Sequence, residues 1–410
     1  MAKTVDSPLA GEVERLAALG PASLAERRRA AFDAYLAAPL PDRALHLWRY
    51  TDPAKLLPES MPPAVADIGV AESGPAQTGV RVASLREVLK EPTVASMFAA
   101  LSSGESGKFE ALNLALFPAG TLVEIAAGAR PAKPVTLSHG KLDQGDHRGE
   151  SPTGTLACPR TLVVVGEGAE ASIVEEFGGN GWNPSLVHAV TEIHLAPGAR
   201  LVHTVVNAFG AKVRAHLVQR ARLERGASLT SISVGLGGEI VKTDATAVMA
   251  GENARSEVLG LSFGGGRQHL DAHFFQDHAA PRTRSDLLVK TALTGRARSS
   301  YTGQLRIAED APGCEAHQEN RNLLLSERAR ADSIPELEIL THEVQCSHAA
   351  ATGPVDPAQL FYLRGRGLDA AEAERAIVLG FLEPVLARVP GEGLADSLRV
   401  LAAKRLGGEV

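Results

Sequence analysis

The sequence predicts a mainly β protein: a β-helix, or stacked solenoid, with α-helical regions before and after it. Three observations carry that class. A Gly-Ala pair returns at 128–129, 168–169, 198–199 and 226–227, each time between two stretches of alternating apolar residues. The last two intervals are 30 and 28 residues, the period of one strand–turn–strand unit in a solenoid. These corners carry Gly-Ala, where the hairpins of a β-sandwich commonly carry Asn-Gly or Asp-Gly.

The elements follow in chain order. "EVERLAALG" and "SLAERRRAAFDAYLAAPL" space Leu, Ala and Phe three and four residues apart, which predicts helices, with Ser23 as an N-cap and Pro41 as a stop. "LWRYTDPAKLL" sets Trp48 and Tyr50 before a short turn, and the Pro-, Ala- and Gly-rich residues 61–80 read as a linker. "SLREVLKEPTVASMFAAL" then returns to a helical pattern. From about Leu112 the period becomes two, as in "TLVEIAAGAR", "TLVVVGEGAEASIVEEF", "TEIHLAPGARLVHTVVN" and "RARLERGASLTSISVGLG". In each corner Gly supplies a positive φ, and Ala follows because the inside of the corner has little room. Gly251, Gly295 and Gly313 are expected in similar turns.

From about Asp356 the helical period resumes. Asp356 is expected to cap a helix that has Pro357 at its first position, and Asp369 to cap the next. On that second helix Ala376, Ile377, Leu379, Gly380, Phe381 and Val385 are expected to line one side, and a final helix covers about 394–406. The chain thus divides into an N-terminal helical region with linker (1–110), a β-helix core (111–350) and a C-terminal helical region (351–410). Helices at both ends are expected to cover the unpaired edges of the stack.

Composition narrows the function. The chain has 410 residues, 44% of them hydrophobic and 22% charged, as in a globular protein. A formal charge of −6 argues against nucleic acid or an anionic membrane as partner. Aromatic residues make up only 4%, which suits close-packed repeats better than an aromatic-lined pocket. Three sparse cysteines (Cys158, Cys314, Cys346), with neither a signal-peptide pattern nor an apolar run of membrane-spanning length, lead to the expectation of a soluble, cytoplasmic protein without disulfides.

Several motifs compete. "GLSFG" (260–264) matches the Gly-x-Ser-x-Gly nucleophile elbow of a hydrolase, but a strand-like pattern follows where that motif needs a helix. "GGEIVKT" (237–243) has Val241 where a phosphate loop needs Gly, so nucleotide binding is rejected. His269, Asp271 and His273 share one face of a strand, with His278 and Asp277 nearby. That face can hold a metal, although hydrogen bonding is the commoner use of such a row. Cys314 and His317 with Cys346 and His348 offer four zinc donors at loose spacing, the basis of an alternative reading as a zinc-bearing structural protein. Cys158 is read as a small buried residue. In an extended segment Cys346 and His348 share a face, and two such donors are too few to close a tetrahedral site.

Longer stretches then carry a resemblance. "DAHFFQDHAAPRTRSDLLVKTALTGRARSSYTGQLRI", "ENRNLLLSERARADSIPELEI" and "VQCSHAAATGPVDPAQLFYLRGRGL" are similar to the SufB/SufD family of iron–sulfur cluster assembly proteins, over roughly residues 260–390. Trp48-Arg49-Tyr50-Thr51 and the Cys-Ser-His triplet resemble the SufD branch, since the SufB paralogue usually carries acidic residues around this histidine. Ala349 departs from the glycine common in the family. The resemblance implies a right-handed parallel β-helix. It also implies a non-catalytic scaffold that pairs with a SufB-like paralogue and binds a SufC-like ATPase through its C-terminal helices. A transient Fe–S cluster would form at the interface between the paired chains, with no stable cofactor on this chain alone. Carried over, His348 supplies a ligand from this side with Cys346 as its companion, and Phe361, Tyr362, Leu363 and Phe381 fall on the ATPase side. Whether the chain pairs with itself in the absence of a partner stays open.

Overall fold

The computed structural model describes residues 9–58, 64–65, 70–73, 77–139, 154–178, 185–391 and 393–406. Its centre is a parallel β-solenoid of two sheets, each coil giving one strand to each. One sheet takes Thr121–Ile125, Arg160–Val165, Leu186–Leu195, Arg214–Leu223, Ile240–Met249, His269–His278, Arg298–Ile307 and Arg330–Ile339. The other takes Val135–His139, Glu170–Gly178, Arg200–Ala208, Ser228–Gly235, Arg255–Gly264, Arg284–Leu293, Cys314–Leu324 and Val344–Pro354. Pairing runs in register from coil to coil, so each side chain sits over its equivalent below, as Leu201 over Ala171 and under Leu229. The expected solenoid is observed.

The corner between the sheets explains the Gly-Ala signal. Positive φ recurs at Gly128, Gly168, Gly198, Gly226, Asn253, Arg282 and Gly313. Each of these N–H groups donates to the carbonyl just before the equivalent corner of the next coil, such as Gly198 to Arg225 O at 2.9 Å and Asn253 to Pro281 O at 3.2 Å. Two expectations are corrected. Asn253 takes the left-handed position in its coil, not Gly251, since Asn tolerates that conformation and Gly251 is needed for close approach to the coil below. Gly295 has the expected positive φ, +68°, but in the opposite corner, between Arg284–Leu293 and Arg298–Ile307. The alanines after these positions (Ala169, Ala199, Ala227, Ala254) form a fully buried column, which Thr283 and Cys314 continue.

Inside the coils the residues are mainly aliphatic, around Val163, Ile173, Ile193, Leu201 and Leu229. Among the first coils a polar group interrupts them. Buried Glu175 receives His139 and His203 at 2.9 Å each, Thr191 at 3.0 Å and Thr161 at 3.1 Å. Burial alone would favour its protonated form, but the two imidazoles outweigh that and hold the carboxyl well below the usual range.

The helical regions lie on the outer faces of the sheets. At the N-terminal side, Ala10–Ala17, Ala22–Ala37 and Lys108–Leu116 pack on the first sheet. Pro21 precedes the second of these, so Ser23 is inside the helix and not its cap. Buried Arg160 and Glu192 anchor the region at 2.6 Å, with Glu192 also accepting from the backbone of Ala99, Leu101 and Ser102. Of the linker at 61–80, Ala64–Val65 and Val70–Ser73 are strands, Val80 opens the strand Val80–Ser84, and residues 61–63, 66–69 and 74–76 lie outside the described residues. Val80–Ser84 and Val70–Ser73 pair antiparallel with the first strand of each sheet and so close that end of the stack.

At the other end Pro357–Arg364 and Ala370–Leu386 begin as expected, capped by Asp356 and by a capping box of Asp369 with Glu372. The second helix buries Ala373, Val378, Leu382, Val385 and Leu386, a face that shares only Val385 with the expected one. That face and Leu394–Arg405 cover Ile232, Val234, Leu259, Leu261 and Phe263 on the outside of the second sheet. The C-terminal helices therefore do not cap the stack: Arg330–Ile339 and Val344–Pro354 each have a strand partner on one side only, among the described residues. No helix among the described residues is long and apolar enough to cross a membrane.

Two glycine substitutions separate the corner's two requirements. At Gly226 (φ +67°) an added Cβ meets no atom within 4 Å, so Gly226→Ala carries only backbone strain, about 1–2 kcal/mol. At Gly251 a Cβ falls on the backbone nitrogen of Arg225, so Gly251→Ala displaces the coil below and costs more. Urea unfolding of the two variants measures this order, and equal losses contradict it.

Candidate functional site at the open end

Burial along Cys314–Leu324 alternates, with Cys314, Ala316, Gln318, Asn320 and Asn322 facing inward. The next strand stacks on it in register, Ala316 beside Cys346 and Gln318 beside His348. Cys346 and His348 therefore share a face, as their spacing predicted, and that face is the interior row. Among the described residues no coil follows them, so a row largely buried in the coils below opens here to solvent. His348 is exposed and Cys346 half-buried.

Beneath them the floor is built of ordered groups. Gln318 accepts from the Tyr301 hydroxyl at 3.0 Å and is buried, as is Tyr301. Cys346 packs against the apolar group of Tyr301, Leu305 and Ala316, and also against that of Ile307 and Cys314. Burial, with Cys314 nearby, pushes the Cys346 thiol up, so it is a protonated thiol at neutral pH until a metal or another electrophile displaces the proton. Ile339 (39% exposed) ends the neighbouring edge strand and Leu340 (49% exposed) follows it. Pro335 lies in the middle of that strand, a position typical of sheet edges because proline offers no backbone donor. It is the one sequence sign of the open edge, and composition and period did not use it.

The four-donor zinc reading fails on direction. His317 lies on the outward row, its Nδ1 2.7 Å from Ser347 Oγ, while Cys314, Cys346 and His348 belong to the inward one. Among the described residues no group of three or more His, Cys, Asp or Glu is placed to hold a metal ion. The His269–Asp271–His273 face is a hydrogen-bonded one. Thr51 donates to Asp271 at 2.5 Å and lies 3.0 Å from His269 Nε2, and Lys242 pairs with Asp271 at 3.3 Å. Trp48 closes over Lys242 with the ammonium 5.0 Å from its ring, so "LWRYTDPAKLL" serves as the cover of this face. His278 faces inward instead, bonded to Thr283 and Ser285. Ser262 of "GLSFG" sits within Arg255–Gly264, and Val241–Thr243 of "GGEIVKT" within Ile240–Met249, so neither motif has the helix its chemistry needs.

On the C-terminal helices Phe361 is 81% exposed and Tyr362 58% exposed, and Pro357–Arg364 buries no residue. Leu363 is partly covered. Phe381 is partly covered too: Lys290 donates to its carbonyl at 2.9 Å and lies 4.8 Å from its ring centre.

Comparison with known proteins agrees with this architecture. The profile described as SUF system FeS cluster assembly, SufBD core domain, matches residues 147–381. An iron-sulfur cluster assembly SufBD family protein of Mycobacterium bovis is 37% identical over 245 residues, 58% of this chain and 60% of that protein. One of Mycobacterium leprae is 34% identical over 282 residues, 67% of this chain and 68% of that one. The chain thus spans about 60% of the length of the first of these relatives. With the family profile covering more than half of the chain, and with the solenoid that it folds into, this protein belongs to the SufB/SufD family of iron–sulfur cluster assembly proteins.

Proposed function

We propose that the chain is a non-catalytic, SufD-like scaffold subunit of an iron–sulfur cluster assembly complex. It pairs with a SufB-like paralogue through the open end of its solenoid, and Pro357–Arg364 offers a surface to a SufC-like ATPase. The observation that carries this reading is the exposed inward row, where Cys346 and His348 stand at the last coil with no strand above them among the described residues. A thiol and an imidazole two residues apart suit iron or a cluster edge but leave its coordination incomplete. A partner seated on the same edge supplies the remaining ligands.

Iron and sulfide are cargo in this scheme, delivered by other proteins and held between the two chains. The unpaired strand edges are the natural seat for another β-structure. ATP hydrolysis in bound ATPases strains the pair and opens the seam for release. The interface belongs to the two terminal strands. Thr302 and Leu305, in a strand paired on both sides, belong to the interior of the sheet. Turnover of a model ester, or stoichiometric zinc in the purified chain, would point instead to a hydrolase or a zinc protein.

His348→Ala is expected to lower cluster content in the co-expressed complex while stability changes by no more than about 0.5 kcal/mol, since the side chain is exposed. Cys346→Ala acts in the same direction more weakly. A loss of melting temperature proportional to the loss of cluster would make His348 structural, and wild-type cluster yield in both variants would end the assignment.

Ile339→Lys with Leu340→Lys places two charges on the exposed end of the edge strand. Size-exclusion analysis is expected to show loss of the heterodimer with an unchanged melting temperature. A heterodimer that forms normally contradicts the seat.

Phe361→Ala with Tyr362→Ala removes the most exposed aromatic pair on the C-terminal helices, and neither ring supports the fold from a buried position. Co-purification with the ATPase is expected to fail. Retention at wild-type yield moves that contact elsewhere.

A further inference from the structure

The column that lines the inner corner changes chemistry as it nears the open end. Ala169, Ala199, Ala227 and Ala254 give way to Thr283 and then to Cys314, all of them buried. The thiol of Cys314 lies 3.1 Å from Thr283 Oγ1, which is in turn 2.8 Å from His278 Nδ1. Cys346 stands one strand further out and two residues along, on the same inward row, and packs with Ile307, Ala311 and Cys314. Both cysteines are free thiols.

The offset decides what such a pair can do. Strand spacing and rise put the two Cα atoms about 8 Å apart. That exceeds the roughly 4.4–6.8 Å of a disulfide, so the pair does not close on itself in this register. A cation bridging two sulfurs needs them separated by about twice a metal–thiolate bond of roughly 2.3 Å, which the diagonal allows once Cys314, whose thiol now donates to Ala280 O of the coil below at 3.5 Å, turns its Cβ–Sγ arm toward Cys346. With no third His, Cys, Asp or Glu grouped to join them among the described residues, the tetrahedral set that zinc requires is missing. Two thiolates in an apolar corner select a soft cation that is content with two ligands.

We propose that Cys314 and Cys346 together bind one soft monovalent cation of the copper(I) class at the open end of the solenoid. Each thiol loses its proton as its sulfur–metal bond forms, and both protons pass to solvent at the half-exposed Cys346. Thr283 can turn its hydroxyl, which now donates to Ala280 O at 3.1 Å, toward the Cys314 thiolate. Occupation withdraws Cys346 from other ligands. Only that consequence rests on the cluster reading above, and the binding itself does not.

The test uses the purified, reduced chain without partners, titrated anaerobically with copper(I) against the chromogenic chelator bathocuproine disulfonate. Wild type and Cys158→Ala are expected to withhold one equivalent from the chelator, while Cys314→Ala and Cys346→Ala each withhold none. Cys314→Ala places alanine where the lower coils already carry it, so its fold is expected to persist, and the melting temperature checks this. Bound copper should also protect both cysteines from alkylation in the wild type. The proposal is overturned if wild type withholds no copper, or if Cys314→Ala withholds as much as wild type. Zinc held as firmly as copper(I) against a zinc indicator overturns the soft-cation assignment.

Discussion

A parallel strand inside a stack satisfies its backbone only through the strands above and below it, so any finite stack has two ends to settle. This protein settles them differently. At the first end Val80–Ser84 and Val70–Ser73 reverse direction and pair antiparallel, a cap made from the chain itself. At the last end nothing among the described residues pairs with Arg330–Ile339 or Val344–Pro354 from outside. An edge of this kind invites association, and natural sheets usually blunt it with proline, charge or short strands. Pro335 and the charged neighbours Glu336 and Glu338 blunt one strand here, whereas the other keeps the small, uncharged run Ala349–Thr352 beside His348.

The same open end turns interior positions into exposed ones. In a solenoid the inward row is ordinarily the core, and the register that stacks Leu201 on Ala171 also stacks His348 on Gln318. A site built in this way needs no loop to hold it. The side chains of such a row stand on a strand, fixed on one side by the ladder below and open on the other, which combines rigid placement with access.

The helical regions have separate work. The N-terminal region covers polar strand faces: its Glu110 joins the strand pair Arg220–Asp244, and its Ala99, Leu101 and Ser102 donate to Glu192, which pairs with Arg160. Breaking one member of such a buried pair costs several times what an exposed pair contributes, on the order of 3–5 kcal/mol. The C-terminal region covers an apolar face instead, and leaves Pro357–Arg364 standing clear of it. His46, through its contact with Glu336, ties the N-terminal segment to the last coil.

Much of this was legible from local chemistry. Gly-Ala corners at successive intervals of 30 and 28 residues point to a solenoid, because a left-handed corner and a small inner residue are local demands that a short stretch states by itself. Asp356-Pro357 and Asp369 with Glu372 announce helix starts for the same reason. The two-residue alternation placed Cys346 and His348 on one face, and put His269, Asp271 and His273 together. Which faces are covered was decided only by the tertiary structure. Thr51 reaches the His269–Asp271 face across more than two hundred residues of sequence, Trp48 closes over Lys242 beside it, and the C-terminal helices settle on the side of the stack instead of its end. A periodic pattern is the same in a middle coil and in a terminal one. Whether a row is core or mouth depends on whether another coil lies above it, and no residue within the row records that.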